Sequence, residues 1–548
     1  MTTSTEIFQP REAVLDDAHV GDIHGAFGTI ARHDVGPRNG WLARLRTLLA
    51  ILGPGLIVMV GDNDAGAFAT YTQAGQNYGT TLLWTLLLLV PVLYVNQEMV
   101  LRLGAVTGVG HARLIFERFG RFWGAFSVID LFVLNALTIV TEFVGITFAV
   151  GFLGVSPLWG VAIAALLTMA AVSTGSFRRF ERFAMVLVFA SLLLVPVLVA
   201  VHPPMSQVAH DFFIPGWPSG GKLSEVMLLV IGIVGTTVAP WQLFFQQSYV
   251  VDKRITPRFI RYEKADLWIG IGLVMIGAVA MMAFAAALFH GKPEFGNFTD
   301  AAGVLAGLEK HVGRASSVIF AIAMIDACII GAASVSLSTA YAIGDVFAIR
   351  HSLHRGVGDA KGFYLVYFGL VSGSAALVLA PGAPLGLLTE AVQSLAGVLL
   401  PSATVFLLLL CNDRTVLGPW VNSTRLNLFT GAVIWVLVML SIILTASVIY
   451  PDIAGKTILG ILGGGTVLAA CAAALTAVLR KRSDAGARAY RPQYSRALRA
   501  QWRMPPLDRL PPPRLTLTTR IWMGVLRAYL LIAAGLVVVK IGQMIFAH

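Results

Sequence analysis

Cysteine is almost missing: Cys328, Cys411 and Cys471 are the only three among 548 residues, each in or beside an apolar run. Such a set builds neither a disulfide framework nor a cysteine-based metal cluster, so soft thiolate chemistry is not expected. Charge is scarce too, at 13% of residues. There is no G-x-x-x-x-G-K-[ST] loop to cradle a phosphate, no H-E-x-x-H pair to hold zinc, and no Ser or Cys nucleophile set beside a base. The chain is therefore not expected to be an enzyme, to need a cofactor or to run on ATP hydrolysis. A cleaved leader is not expected either, because residues 1–40 are polar and the first apolar run shows no processing site.

What fills the sequence instead is apolar. Hydrophobic residues make up 57% of it and the mean hydropathy is +0.77, which places the chain among polytopic membrane proteins. Thirteen runs are long enough to cross a hydrocarbon core, near 51–72, 80–103, 123–152, 157–174, 182–201, 225–248, 265–290, 315–346, 362–380, 387–411, 429–449, 456–479 and 528–546. The net charge of +11 is distributed by loop. Arg102, Arg113, Arg118 and Arg121 follow the second run; Arg178, Arg179 and Arg182 the fourth; Lys253, Arg254, Arg258, Arg261 and Lys264 the sixth; the intervening loops hold few. By the positive-inside rule the N-terminus is cytosolic, and the partner of this charge is the anionic face of a bilayer, not nucleic acid. An integral protein of a bacterial-type inner or plasma membrane is expected, with no obligate protein partner.

Residues 1–47 read as a cytosolic tail with little folded structure beyond a short helix, 48–450 as the core, and 451–480 as an additional span. Residues 481–520, rich in Arg and Pro, read as a partly extended cytosolic linker, and 521–548 as a C-terminal span.

Two runs have anomalous middles. The first is interrupted by Gly61-Asp62-Asn63-Asp64-Ala65-Gly66, the sixth by Gly232-Ile233-Val234-Gly235-Thr236-Thr237-Val238-Ala239-Pro240. Mid-span Gly and Pro free backbone groups that only protein or a wet cavity can receive. Five spans separate the two breaks, so segments of about 48–201 and 225–411 have opposite topology, an inverted repeat with its site at the midplane. Asp64 is the costliest residue in that site, because hydrocarbon expels an acid that no cation or water compensates. An ion site is the expected reason for it.

Gly53-Pro54-Gly55 followed by Asp64-Ala65-Gly66-Ala67 resembles the start of the natural resistance-associated macrophage protein (NRAMP) family of divalent-metal transporters. The resemblance continues through Thr72-Gln73-Ala74-Gly75, Arg102-Leu103-Gly104 with Thr107-Gly108, Glu142-Phe143-Val144-Gly145 and the Pro240 break, over roughly 48–450. It implies an all-α membrane protein of the LeuT or amino-acid-transporter type, a 5+5 inverted repeat with discontinuous helices 1 and 6 and about 12–13 transmembrane helices. The departures are specific. Ala67 stands where the family has a metal-binding Asn, Ala239-Pro240-Trp241 where it has Met-Pro-His, and Ile139 where a proton-route Asp precedes Glu142. This pattern is similar to the NRAMP-related magnesium transporters, and it implies import of Mg²⁺, with Mn²⁺ tolerated, by alternating access without coupled protons.

Chemistry approaches the same expectation. Loss of a thioether at Ala239 removes the feature that favours softer metals over Mg²⁺, and Mg²⁺ keeps several waters beside one or two carboxylates. Asp64 is then the electrostatic anchor, with backbone carbonyls near Gly61 and Ala239, the Thr236 hydroxyl and the space at Ala67 completing the site. By the resemblance Gln393 approaches the metal; an interhelical hydrogen bond is its other reading. Glu390, one turn away, is placed at the external mouth. Asp62, about 200° from Asp64 on a continuous helix, lines the vestibule or meets a polar partner. Trp241 closes the cavity wall or simply packs. Glu142 is either a remnant of a proton route or an acceptor between helices, and Asp326 is a further intramembrane acid with no implied role. The alternatives are a proton-coupled Mn²⁺/Fe²⁺ symporter, which must explain Ala67, Ala239, Trp241 and Ile139, and an amino-acid transporter, in which Asp64 repels a substrate carboxylate.

Overall fold

The computed structural model describes residues 15–218, 221–380, 392, 401–450, 453–484, 495–513 and single positions between 523 and 535. Glu390, Gln393 and most of the expected tenth and last spans lie outside the described residues.

Helices make almost all of it. After a short hairpin, β1 (Ile23–Gly25) with β2 (Gly28–Ile30), come α1 (Trp41–Ile51), α2 (Pro54–Val60) and α3 (Ala65–Tyr78). Then follow α4 (Leu83–Thr107), α5 (His111–Phe119), α6 (Arg121–Phe152), α7 (Pro157–Val172), α8 (Phe177–Ala190), α9 (Leu194–Val201) and α10 (Met205–Phe213). The second half holds α11 (Leu223–Thr237), α12 (Pro240–Asp252), α13 (Ile260–Phe289), α14 (Ala301–His311), α15 (Arg314–Phe347) and α16 (Lys361–Val378). It closes with α17 (Pro401–Asn412), α18 (Arg414–Leu417), α19 (Thr424–Ile449), α20 (Gly455–Asp484) and α21 (Arg496–Gln501). Among the described residues eight helices are long and apolar enough to span a membrane, nine if α1 and α2, bent by 52°, are one span. The thirteen expected runs exceed this because broken spans leave short pieces and two runs fall largely outside the described residues.

The breaks sit where the sequence puts them. Pro54 and Pro240 occupy the first turns of α2 and α12, where a missing N–H costs nothing, and Asp64 caps α3. The chain runs up through α2 and α3 and down through α11 and α12. Outer halves α3 and α11 pack together, as do inner halves α2 and α12. That antiparallel pairing is the inverted repeat of a LeuT-type fold.

Helix α13 lies along both halves of the first broken span, and glycine permits the approach. A Cβ on Gly55 would sit 2.7 Å from the Leu267 backbone, one on Gly270 2.6 Å from the Gly55 carbonyl, and one on Gly75 2.2 Å from the Met282 carbonyl. Small residues replace hydrophobic drive between helices in lipid. On the other side α6 and α15 form the scaffold pair, with Asn135 Nδ2 donating to Thr339 Oγ1 at 2.8 Å.

The termini depart from expectation. Residues 15–40 are not an unfolded tail: they carry the hairpin, strapped to the basic face by arginines that donate to its carbonyls. Residues 495–513 are not a free linker: Met504 N donates to the Val106 carbonyl at 3.3 Å, Arg118 Nη1 to the Pro511 carbonyl at 2.6 Å, and Trp420 carries Arg499 over its ring at 4.1 Å. Polar sequence suggested solvent; arginines, carbonyls and an aromatic ring of the basic face supply partners instead.

Gly75→Ala is expected to lower stability by about 1–3 kcal/mol, because its neighbour is backbone and cannot yield. Gly272→Ala, with nothing within 4 Å of the added carbon, should be neutral or slightly stabilising. Thermal unfolding of the two variants in one detergent checks the contrast.

Candidate functional site

The first break exposes backbone where hydrocarbon would forbid it. Among the described residues the carbonyls of Gly61, Asp62 and Asn63 receive no backbone hydrogen bond. Asp64 Oδ1 accepts from Ala67 N at 2.9 Å, so the carboxylate holds the N-terminus of α3. Glu142, fully buried on α6, accepts from Ala65 N at 3.1 Å, and its carboxyl lies within hydrogen-bonding reach of Asp64. Two facing carboxyls in a dry site cannot both stay ionised alone; they need a shared proton or a cation.

The second break faces the first. Ala239 is extended, at φ −97° and ψ 144°, and caps α12. Asp62 does not face open solvent: its Oδ1 accepts from Gln242 Nε2, and Gln242 Oε1 accepts in turn from Gln97 Nε2 at 3.1 Å. Tyr71 OH and Thr237 Oγ1, 2.7 Å apart, tie α3 to α11 above them. Trp241 is buried, its carbonyl accepting from Ser338 Oγ at 2.9 Å, with its ring against Gly61. Asp62 Oδ2, Thr236 Oγ1, Ser334 Oγ and Trp241 Nε1 are buried around the breaks without a hydrogen bond among the described residues. Such atoms suit a polar guest or its water shell.

A cavity of about 500 Å³ leads to this place from the less basic face, lined by Gln73, Asn77, Glu225 and Asp300 near its mouth and by Ala65 and Gly145 at its floor. Its floor is the residue next to Asp64. The basic face is closed. Asp266 accepts from Gly53 N at 3.1 Å and Gly55 N at 2.6 Å, fixing the start of α2. Lys253 Nζ, fully buried, donates to the Ile51 and Leu52 carbonyls and to Glu181 Oε1 at 2.6–2.8 Å.

Over that seal lies the N-terminal segment. Arg254 donates to the Ala18 and Asp22 carbonyls, Arg258 to those of Asp34 and Gly36, and Arg355 to Asp16 and Asp17. The His19 ring packs tilted against that of His351, centroids 5.3 Å apart, and His351 Nε2 meets Asp345 Oδ1 at 3.0 Å. Burial opposes protonation of His351, but the Asp345 carboxylate outweighs it, aided by the Ile349 carbonyl and Asp252, and the imidazole is pushed up to about 9.

The geometry therefore brings together Asp64, Gly61, Ala67, Thr236, Ala239, Asp62, Trp241 and Glu142 around the two breaks. Asp326 is buried on α15, and its Oδ2 has no hydrogen bond among the described residues. Three residues the sequence reading did not single out belong here: Gln242 and Gln97, which hold Asp62, and Cys328, whose thiol lies within hydrogen-bonding reach of Glu142. Gln242 carried a signal, a second polar group just after a mid-span Pro. Cys328 carried none. Among the described residues no three His, Cys, Asp or Glu side chains converge in a metal-ligating geometry; the oxygen donors at the breaks are the Asp64 carboxylate, backbone carbonyls and hydroxyls.

Comparison with known proteins places this geometry. The profile described as natural resistance-associated macrophage protein-like matches residues 55–447. A protein of Xylella fastidiosa named divalent metal cation transporter MntH is 31% identical over 54% of this chain and 62% of its own length; one of that name from Deinococcus radiodurans is 30% identical over 54% and 68%. The match to the Xylella relative thus spans less than two thirds of that protein. In fold, a manganese transporter of Eremococcus coleocola superposes with a TM-score of 0.62 at 20% identity, over 84% of this chain and 97% of its own. A Na⁺-coupled sialic acid symporter gives 0.50 at 14%, over 76% and 88%.

The raised His351 has a stability consequence. Its folded value lies above the unfolded 6.5, so the contribution of the Asp345 pair is fully present below pH 6.5 and is lost as pH rises through about 9. His351→Gln should lower the unfolding temperature at pH 6, by up to about 3 kcal/mol in stability, and the gap from the unsubstituted protein should close towards pH 10.

Proposed function

The chain belongs to the natural resistance-associated macrophage protein-like family, and on that premise we propose a secondary transporter that moves a divalent cation by alternating access, carrying Mg²⁺ partly hydrated and tolerating Mn²⁺. The observation that carries the reading is a pair of methyl groups at the two breaks. Ala67 has no side-chain donor and its amide is taken by Asp64; Ala239 offers only backbone. Sulfur at such a site would favour softer metals. The donors that remain are hard: the Asp64 carboxylate, the Thr236 hydroxyl and the free carbonyls of Gly61, Asp62 and Asn63. Mg²⁺ sheds water reluctantly and is content with one or two carboxylates plus its own hydration, and the buried polar atoms around the breaks can receive those waters.

The basic face is the cytosolic one by the positive-inside rule. The vestibule then opens outward and the hairpin lies inside, in a bacterial-type plasma membrane. An inside-negative potential draws a divalent cation inward by roughly 4.6 kcal/mol per 100 mV, so uptake needs no coupled proton. Rocking α2–α3 and α11–α12 against the α6–α15 scaffold would close the vestibule and open the seal around Lys253.

One observation favours a second reading, proton-coupled transport of Mn²⁺ or Fe²⁺. The Glu142 carboxyl lies within hydrogen-bonding reach of Asp64, and a proton shared by that pair would leave when a metal arrives. The similar proteins above are named as a divalent metal cation transporter and a manganese transporter.

Uptake into proteoliposomes, with an internal pH dye, decides between them. Both Mg²⁺ and Mn²⁺ are expected to enter in response to the membrane potential without acidification, and Asp64→Ala should abolish both fluxes while the protein still elutes as a folded species. Mn²⁺ flux with stoichiometric acidification and no Mg²⁺ flux would replace the first reading by the second. Ala239→Met alone should leave Mn²⁺ preference within about tenfold, because position 67 still lacks an amide; the double change with Ala67→Asn should be needed to move it further.

A further inference from the structure

A second groove, of about 650 Å³, lies on the opposite edge of the molecule from the vestibule, between the hairpin and α8. Its wall is a single stripe of α8: Arg178, Arg182, Met185, Val186 and Phe189, spaced at i, i+4, i+7, i+8 and i+11. The stripe changes character along its length, basic in the first turns and apolar afterwards, over about 16 Å. Facing it are Phe27, 48% exposed at the hairpin turn, and the Thr29 hydroxyl side.

The polar end has donors to spare. Arg178 Nε donates to the Gly25 carbonyl at 3.1 Å and its Nη2 to the Gly28 carbonyl and Thr29 Oγ1. Arg182 uses only Nε, towards the Ala26 carbonyl at 3.0 Å; the side chain is exposed and its two terminal nitrogens make no hydrogen bond among the described residues. Arg179, also exposed, adds a third cation one turn away. The acid in the same turn, Glu181, is spent inside the protein on Lys253 and Ala26 N, and no acidic side chain lines the groove among the described residues.

The apolar end points into lipid. The helix Phe177–Val201 is only 28% buried in its most apolar stretch, and Val186 and Phe189 are 67% and 56% exposed. An aromatic at the height of the guanidinium groups, cations at the helix entrance and an exposed aliphatic wall below them match one molecule in shape and charge: a phosphate-bearing headgroup with its acyl chain. A peptide or nucleic acid would satisfy the cations and leave the wall beneath them in hydrocarbon.

We propose that this groove is a binding site for an anionic phospholipid of the leaflet on the basic face, its phosphate on Arg182 and Arg178 and its chain along Val186 and Phe189. The inference rests on α8–α9 crossing the bilayer and not on which ion is carried. A lipid so bound clamps the hairpin to α8 and so stabilises the seal over Lys253.

Native mass spectrometry and thermal unfolding of the full chain, with dioleoyl phosphatidylglycerol against phosphatidylcholine of the same chains, test it. Retention and stabilisation should favour phosphatidylglycerol, and Arg182→Gln should reduce that preference by about five-fold. Arg350→Gln, an exposed cation elsewhere on the basic face, should leave it unchanged. Val186→Asn, which touches the chain wall and not the hairpin contacts, should weaken retention of the bound lipid and serves if the Arg182 variant does not fold. Inorganic phosphate and glycerol 3-phosphate should give no shift. Equal retention in Arg182→Gln, equal loss in Arg350→Gln, wild-type retention in Val186→Asn, or full stabilisation by phosphate alone would each overturn the site. None of these readouts depends on ion flux, so their failure leaves the transport reading to its own test.

Discussion

A carboxylate cannot stay charged in hydrocarbon without company, and the architecture is organised around supplying it to Asp64. The two broken spans do this with backbone before side chains. Pro54 and Pro240 let helices start in mid-membrane, the unwound turn at Gly61 to Asn63 leaves carbonyls free, and α3 begins on the acid itself. Everything else in the core keeps that arrangement in place: glycine contacts pin both halves of the first span against α13, and the Tyr71–Thr237 pair ties the outer halves together.

The same economy governs the closed face. Lys253 is as buried as Asp64, and it is tolerated because two carbonyls and a carboxylate meet its three N–H groups. Opening that face means giving up contacts that are strong only while dry, since removing one partner of a buried pair costs about 3–5 kcal/mol. Asp64 and the seal around Lys253 lie beyond the two ends of α2, seven residues long, so one short helix connects the acid to the closed face.

Much of this was legible in the sequence. The spans, the two interruptions and the inverted order followed from hydropathy, Gly and Pro, and the alternating basic loops marked one face correctly as the one rich in cations. The partners of buried polar groups were not legible. Asp62 was open between the vestibule and a polar partner, and its holders Gln242 and Gln97, from two other helices, could not be named; Glu142 was open between a proton-route remnant and an interhelical acceptor, and its approach to Asp64 could not be read. Such pairings depend on helix rotation, which periodicity in an all-apolar span does not fix. The terminal segments were misread for a related reason: polarity reports what a segment avoids, not what it docks on. Glu390 and Gln393, both read as site residues, lie outside the described residues.

The hairpin is held in an unusual currency. Arg178, Arg182, Arg254 and Arg258 grip the carbonyls of Ala18, Asp22, Gly25, Ala26, Gly28, Asp34 and Gly36, mostly main chain, with Thr29, Asp16 and Asp17 the side chains that arginines also reach. Recognition of this kind reads the path of the chain and ignores most of its letters. Positions held only through their carbonyls are thus expected to tolerate change of identity provided they keep their turns, unlike the arginines opposite them or Asp16, Asp17, His19 and Thr29, which are held by their side chains. In an alignment of relatives the segment would look dispensable, and its importance would have to be read from the other side of the contact.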